Sequence, residues 1–262
     1  MTKARASRRA ETPASLDPGR FSVILVRPDT PENIGLAARG MANTGFSDLR
    51  IVGLGRIGAP AYRTAVHAEN ILDGARHYDT LTGAVDGLHL VFGSTARIRR
   101  DFPLVTLADA VRKISEYPPA ALVGLVFGNE RTGLTSEEIG LSNVRFRIPQ
   151  AARQPSYNLG VAVTLTLHAI ASLAEPLSPV RRELPLKLAE QDEAGRRFGK
   201  MLDSWGFMHD TNRAFIEERV QDIFRRMALT AKDRDIILAI FRKALSREPA
   251  TSNLKRRRHG KT

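Results

Sequence analysis

Three short segments of this 262-residue chain bring amide, guanidinium, carboxylate and hydroxyl groups together with glycine. In N-I-G-L-A-A-R, Asn33, Gly35 and Arg39 stand where a helix would begin, and a helix N-terminus itself favours an anion. In G-N-E-R-T-G, Glu130 lies between Gly128 and Gly133, and glycine lets backbone approach a ligand closely. In the third segment Ser156, Tyr157 and Asn158 directly precede a run without charge, and a fourth turn, Gly93-Ser94-Thr95-Ala96-Arg97, follows another apolar run. Each has a plain alternative. Asn33 suits a helix N-cap and Arg39 a surface charge, residues 128–133 suit a simple turn, and Ser156 or Asn158 suits a cap on the next helix. There is no Walker loop, no G-x-G-x-x-G after the first strand and no G-x-S-x-G elbow. The chain has no cysteine, which excludes disulfides and thiolate chemistry, and its six histidines show no metal-ligand spacing. No metal is expected.

Such loops need a rigid frame, and from residue 21 the pattern alternates between strands and helices. Apolar, β-branched runs at 21–27, 49–52, 88–92, 121–127 and 144–148 read as strands. Residues 34–44, with Asn33 as cap and Gly45 beyond the end, and stretches near 61–72 and 107–116 read as helices. This order predicts an α/β fold with a parallel sheet, in which ligands collect past the carboxyl ends of the strands. Residues 158–174 carry no charge and read as a helix buried on every side, in a core or at a subunit interface. Residues 176–188, rich in proline, read as a linker. Beyond them 189–202, 212–227 and 231–245 read as three amphipathic helices of a small all-α domain, with Phe215, Val220, Ile223 and Phe224 on one face. A chain ending near Glu175 is then expected to fold alone.

The formal net charge is +12, and it is uneven. Residues 1–20 hold five Lys/Arg against two acids, and residues 247–262 hold six against one, leaving about +4 on the remainder. The ends, 1–20 and 248–262, read as disordered basic tails suited to solubility or to non-specific nucleic-acid contact. No apolar run approaches a membrane span and no apolar signal segment follows the basic start, so a cytoplasmic protein with no membrane association is expected.

Taken in order, N-I-G-L-A-A-R (33–39), L-V-F-G-N-E-R-T-G-L (125–134) and I-P followed by S-Y-N-L (148–159) resemble the three motifs of the SPOUT methyltransferases, TrmH-like branch. V-R-P-x-x-P-x-N-I-G, the G-S-T-A-R turn and the helical extension are similar, more narrowly, to the TrmJ type, which methylates the ribose at position 32 of transfer RNA. Two departures are visible: Glu32 stands where glycine is frequent, and Tyr157 where leucine is frequent.

The resemblance implies a SPOUT domain over 21–175 with a C-terminal trefoil knot, the linker, and an RNA-binding helical domain over 189–247. It implies a homodimer with the uncharged helix at its interface, S-adenosyl-L-methionine as cofactor and RNA, most readily tRNA, as partner. By motif, Ser94, Thr95, Ala96, Gly128, Ile148, Ser156, Tyr157 and Asn158 are expected at the cofactor, and Arg39, Asn33, Ser156, Asn158 and Glu130 at the chemistry. Arg39 is expected to clamp a phosphate, because a guanidinium with a pKa above about 12 does not serve as a base. Ribosomal RNA as substrate, or an inactive RNA-binding factor, are the alternatives within this fold. A nucleotide-dependent oxidoreductase is disfavoured by the missing fingerprint after the first strand.

Overall fold

The computed structural model describes residues 17–97, 103–151, 156–173 and 183–245. Its seven strands are β1 (Phe21–Val26), β2 (Asp48–Val52), β3 (Arg76–Tyr78), β4 (Leu90–Ser94), β5 (Leu104–Thr106), β6 (Val123–Phe127) and β7 (Val144–Arg147). All pairings are parallel, in the order β3-β2-β1-β6-β4-β7-β5. This is the expected parallel α/β sheet. β3 and β5 escape the sequence reading because three residues are too few to show a period.

Side chains alternate across the sheet and so build two cores. From β1, Phe21, Val23 and Leu25 enter one apolar cluster, while Ile24 and Val26 enter the other. The first cluster is covered by α1 (Pro31–Thr44), α2 (Ala59–Ala65), α3 (Glu69–Asp73), α5 (Leu107–Ser115) and α7 (Leu159–Ala171). The second is covered by α4 (Leu81–Val85) and α6 (Ser136–Gly140). The helix expected over 61–72 is two helices, α2 and α3, because Val66 and His67 adopt positive φ between them. Gly45, left-handed at φ 84°, ends α1 as expected.

Helices α1 and α7 pack almost backbone to backbone. A side chain at Gly40 would strike Thr164, and one at Gly160 would strike Leu36. Helix α7 is buried along Leu159, Gly160, Val163, Thr166, Leu167 and Ile170, and Val161 is 42% exposed. The expectation of burial on every side therefore fails within one chain, since α7 lies on the outside of a single helical layer.

The C-terminal helices are α8 (Leu188–Ser204), α9 (Arg213–Met227) and α10 (Ala231–Leu245), as expected to within two residues. Their core joins Ala194, Met201, Val220, Phe224 and Phe241. Phe215 and Ile223 were expected on the buried face but are 58% and 45% exposed. The buried stripe of α9 runs through Ile216, Val220 and Phe224, at i, i+4 and i+8, which turns Phe215 and Ile223 away from it.

Two expected boundaries shift. Residues 17–20 are ordered, with Arg20 buried and its guanidinium donating to the carbonyls of Pro118 and Ile114. The proposed linker is already packed by Leu186, and Leu188 belongs to the second core of the sheet. The remaining tail and linker residues, 1–16, 174–182 and 246–262, lie outside the described residues.

A polar junction fastens the helical region to the sheet. Arg145 of β7 pairs with Asp222 of α9, both side chains about 95% buried. Asn143 donates to Gln191 (3.0 Å) and to the Arg225 carbonyl (2.6 Å), while Arg225 pairs with Asp192 and donates to the Gly140 carbonyl. Removing one partner of a buried ion pair strands the other charge without water. The helical region is thus fastened to the α/β core by buried polar contacts. Asp222→Ala should cost about 3–5 kcal/mol of stability, measured by urea unfolding, and a chain ending at residue 182 should fail to give a cooperative transition. Wild-type cooperativity in the truncated chain would show the junction to be dispensable.

The strand end of β1 is tied to α6 by Arg27, whose guanidinium forms a two-pronged pair with Glu138. Burial opposes ionisation of Glu138, but the hydrogen bonds from Arg27 and Thr135 outweigh it and hold the carboxyl below its usual range. The folded state therefore gains stability from Glu138 above the unfolded pKa of about 4.3, and loses it as pH falls. Glu138→Gln should lower the melting temperature at pH 7, and the gap to wild type should close as pH is taken towards 3. A gap independent of pH would contradict this ionisation.

Candidate active site

The strand carboxyl ends gather the segments singled out by sequence. A cavity of about 350 Å³ opens there, lined by Ser94, Thr95, Ala96 and Arg97 after β4, by Phe127 to Leu134 after β6, and by Ile148, Gln150, Ser156, Tyr157, Leu159 and Ala162 around β7 and α7. Of the residues expected at a cofactor, Ser94, Thr95, Ala96, Gly128, Ile148, Ser156 and Tyr157 line it. Asn158 stands just outside. Arg97 and Leu134, the last residues of two of the quoted segments, line it as well, and so does Gln150, which no spacing in the sequence marks. Residues 152–155, which belong to the same loop, lie outside the described residues.

The glycines of the second segment serve the loop itself. A side chain on Gly128 would collide with the backbone of Gly133 and Leu134, and Gly133 turns the chain at φ 66°. Asn129 ties this turn together. Its side-chain oxygen accepts from the Arg131 and Thr132 amides (2.9 and 3.0 Å), and its amide donates to the Arg27 carbonyl (2.8 Å). Both glycines are thus required by the turn itself, and both also line the cavity.

Glu130 joins the three segments. Its carboxylate accepts from the backbone amides of Asp29 (2.8 Å) and Thr30 (3.2 Å) and from the Asn33 side chain (2.7 Å). The Asn33 oxygen in turn accepts from Asn158 (2.6 Å), whose own oxygen accepts from the Val161 amide at the start of α7. A carboxylate facing the start of α1 is also favoured by the helix dipole. Thr30, not Asn33, is the N-cap of α1, because Pro31 already begins the helix. Asn33 is released for the tertiary bond and is 6% exposed. Asn158 caps α7 as expected and also donates to Asn33.

Arg39 is not brought to the cavity. It lies six residues along α1 from Asn33, about 9 Å at helical rise, and makes no hydrogen bond or ion pair among the described residues. It shares the exposed stripe of α1 with Leu36 and Asn43. Tyr157, one of the two departures, lies at the cavity with its hydroxyl donating to the Pro149 carbonyl (3.0 Å). Among the described residues no group of three or more His, Asp or Glu is placed to hold a metal ion, and no helix is long and apolar enough to cross a membrane.

The family model described as SpoU rRNA Methylase family matches residues 20–168. The chain is 32% identical over 236 residues to the tRNA (cytidine/uridine/adenosine-2'-O-)-methyltransferase TrmJ of Pseudomonas aeruginosa, covering 84% of this chain and 92% of that one. It is 39% identical over 155 residues to the tRNA (cytidine-2'-O-)-methyltransferase TrmJ of Methanocaldococcus jannaschii, covering 57% and 66%. The crystal structure of TrmJ from Z. mobilis ZM4 superposes with a TM-score of 0.73 at 27% identity, covering 86% of this chain and 99% of that one. That likeness extends through the C-terminal helices as well as the sheet, so with the match over 20–168 and the cavity at the strand ends, this chain belongs to the SpoU methylase family.

Proposed function

We propose that this protein transfers a methyl group from S-adenosyl-L-methionine to a ribose 2′-hydroxyl of tRNA, at nucleotide 32, with cytidine or uridine as the base. The observation that carries this reading is the cavity at the carboxyl ends of β4, β6 and β7, joined to α1 and α7 through Glu130, Asn33 and Asn158. Its size lies in the usual range for a nucleoside-sized ligand. Phe127, Leu134, Ile148, Leu159 and Ala162 provide apolar walls for an adenine ring, and Ser94, Thr95 and Ser156 provide hydroxyls. The cofactor supplies an electrophilic methyl group on a sulfonium. These residues fit such a group and would hold it.

The chemistry is an in-line displacement in which the 2′-oxygen attacks, the sulfur leaves and one proton is lost. Among the described lining residues the carboxylate, Glu130, is occupied by three N–H donors, and alignment with electrostatics carries most of the task. Arg39 clamps the phosphate beside the target ribose, and the proton passes to a phosphate oxygen or to water. Glu130, Asn33 and Asn158 act as positioning residues. Ser156 orients the ligand at the cavity mouth.

We further propose a homodimer formed over α1 and α7. The face around Leu36 and Val161 is exposed and apolar, and α7 carries no Asp, Glu, Lys or Arg. Arg39, one turn from Leu36, then lies beside that interface. A trefoil knot over the last part of the 21–175 domain and a cytoplasmic location belong to the same reading. The helical region, 189–247, is proposed as a secondary RNA contact. Arg196, Arg197, Arg213, Arg225, Arg226, Lys232 and Arg234 are each paired with a carboxylate, so the tails carry more of the salt-dependent attraction.

The test is methyl transfer from labelled cofactor to tRNA and to ribosomal RNA, with the modified nucleotide mapped. The expected result is 2′-O-methylation of tRNA nucleotide 32, without added metal. Arg39→Ala and Arg39→Lys should each lower the rate by at least about 100-fold, since an ammonium cannot reproduce the planar fork, while calorimetry shows cofactor affinity within a few fold. Methylation of ribosomal RNA alone would reassign the substrate, and full activity in either variant would return Arg39 to a surface charge.

A further inference from the structure

A second concave site lies on the same sheet edge and takes no part in the cavity described above. It is a cleft of about 750 Å³ past the ends of β2 and β3, bordered by the loop from Gly53 to Gly58 and by α2 and α3. β2 stands two strands from β6, about 10 Å at ordinary strand spacing, and Gly58 packs against Pro31 at the start of α1. The cleft therefore neighbours the loop that Glu130 holds.

Its chemistry is specific. Arg56 is exposed on the cleft wall and makes no hydrogen bond or ion pair among the described residues. Arg63, one residue beyond Tyr62, is likewise exposed and unpaired. This contrasts with the helical region, where seven cations are occupied by carboxylates. That region also meets the sheet around Leu88, His89, Gly140, Asn143 and Arg145, at or before the beginnings of β4 and β7, while both cavities lie past strand ends.

An aromatic ring and polar edge groups complete the cleft. Tyr62 is 36% exposed, and its hydroxyl donates to Asp73 (3.1 Å), which fixes the ring. His77 Nδ1 donates to the Leu54 carbonyl (2.8 Å), since a carbonyl only accepts, and this holds the imidazole at the cleft edge. The bordering loop reads G-L-G-R-I-G. It does not meet the demands of a dinucleotide fingerprint, since a side chain on Gly55 would meet open space and the helix that follows has only seven residues.

We propose that this cleft binds a nucleotide of the RNA substrate next to the methylated one, with its base stacked on Tyr62 and its phosphate on Arg56. An unpaired guanidinium beside an exposed ring is the pairing that single-stranded nucleic acid requires, and stacking on an aromatic ring contributes without regard to base identity. Asp73 at the edge offers a carboxylate acceptor to a base that presents an amine. The inference rests on RNA being the substrate but not on which ribose is methylated.

The test measures binding and turnover with a tRNA transcript for the full chain and for Arg56→Ala, Tyr62→Ala and Tyr62→Phe. Tyr62→Ala should weaken RNA binding by about 5- to 100-fold, and Tyr62→Phe, which keeps the ring, should stay within about twofold. Arg56→Ala should reduce the slope of log affinity against log salt by about 0.7–0.9. In all three, cofactor affinity and kcat at saturating RNA should remain near wild type, so the loss appears in KM. Unchanged RNA affinity and salt slope in both alanine variants would overturn the subsite. So would an equal loss of cofactor affinity, or tight binding of free NAD competing with RNA. Absence of methyl transfer by the wild-type protein would instead count against the proposed activity, while the binding measurements still decide the subsite.

Discussion

The carboxylate of Glu130 stands where three loops meet. Two backbone amides and one side-chain amide converge on it, and through Asn33 the bond chain reaches Asn158 at the start of α7. Without it, the start of α1 would hold amides with no acceptor, Asn33 would lose a partner in a buried position, and the turn over 128–133 would be tied to the strand end of β1 only through Asn129 on the Arg27 carbonyl and the exposed pair of Arg131 with Asp29. The constraint also explains the glycines. Gly128 and Gly133 shape the turn so that Glu130 faces α1, and Gly40 and Gly160 let α1 and α7 approach until Asn33 meets Asn158.

The polar junction at Arg145 and Asp222 has a different purpose. It replaces what the sequence suggests is a flexible attachment by a fixed one, since two buried charges are tolerable only when their geometry is kept. Strand β7 carries Arg145 on one face and leads within three residues to Ile148 at the cavity. Placement of the helices and shape of the cavity are thus linked through one strand. With the helical region fixed beside the beginnings of β4 and β7, the arginines at the opposite strand ends are those of the loops, and Arg97 and Arg131 line the cavity.

Much of this was legible in the residues. Apolar runs of four to seven residues located five strands, and the helices of the C-terminal region matched to within two residues because their apolar stripes are regular. The composition of the cavity followed from loops at strand ends, and seven of the eight residues expected at a cofactor line it. The rest depended on tertiary terms. Asn33 has the chemistry of a cap, yet Pro31 pre-empts that position and frees its amide. Phe215 and Phe224 look alike in sequence, and only the packing of α9 on α8 decides which is covered. Asp222 and Arg145 are 77 residues apart, and no periodicity relates them. The cleft at Arg56 is not legible in the residues because it depends on the break between α2 and α3, where the sequence reads as a single helix.

The central claim is that one carboxylate holds the three loops as a unit. It is tested most directly by backbone amide hydrogen exchange in the full chain and in Glu130→Ala, comparing residues 29–33, 128–134 and 158–162. The account predicts that all three segments lose protection together in the variant, while the strands of the sheet keep theirs. Acceleration confined to 128–134, with the starts of α1 and α7 as protected as in the wild type, would contradict it.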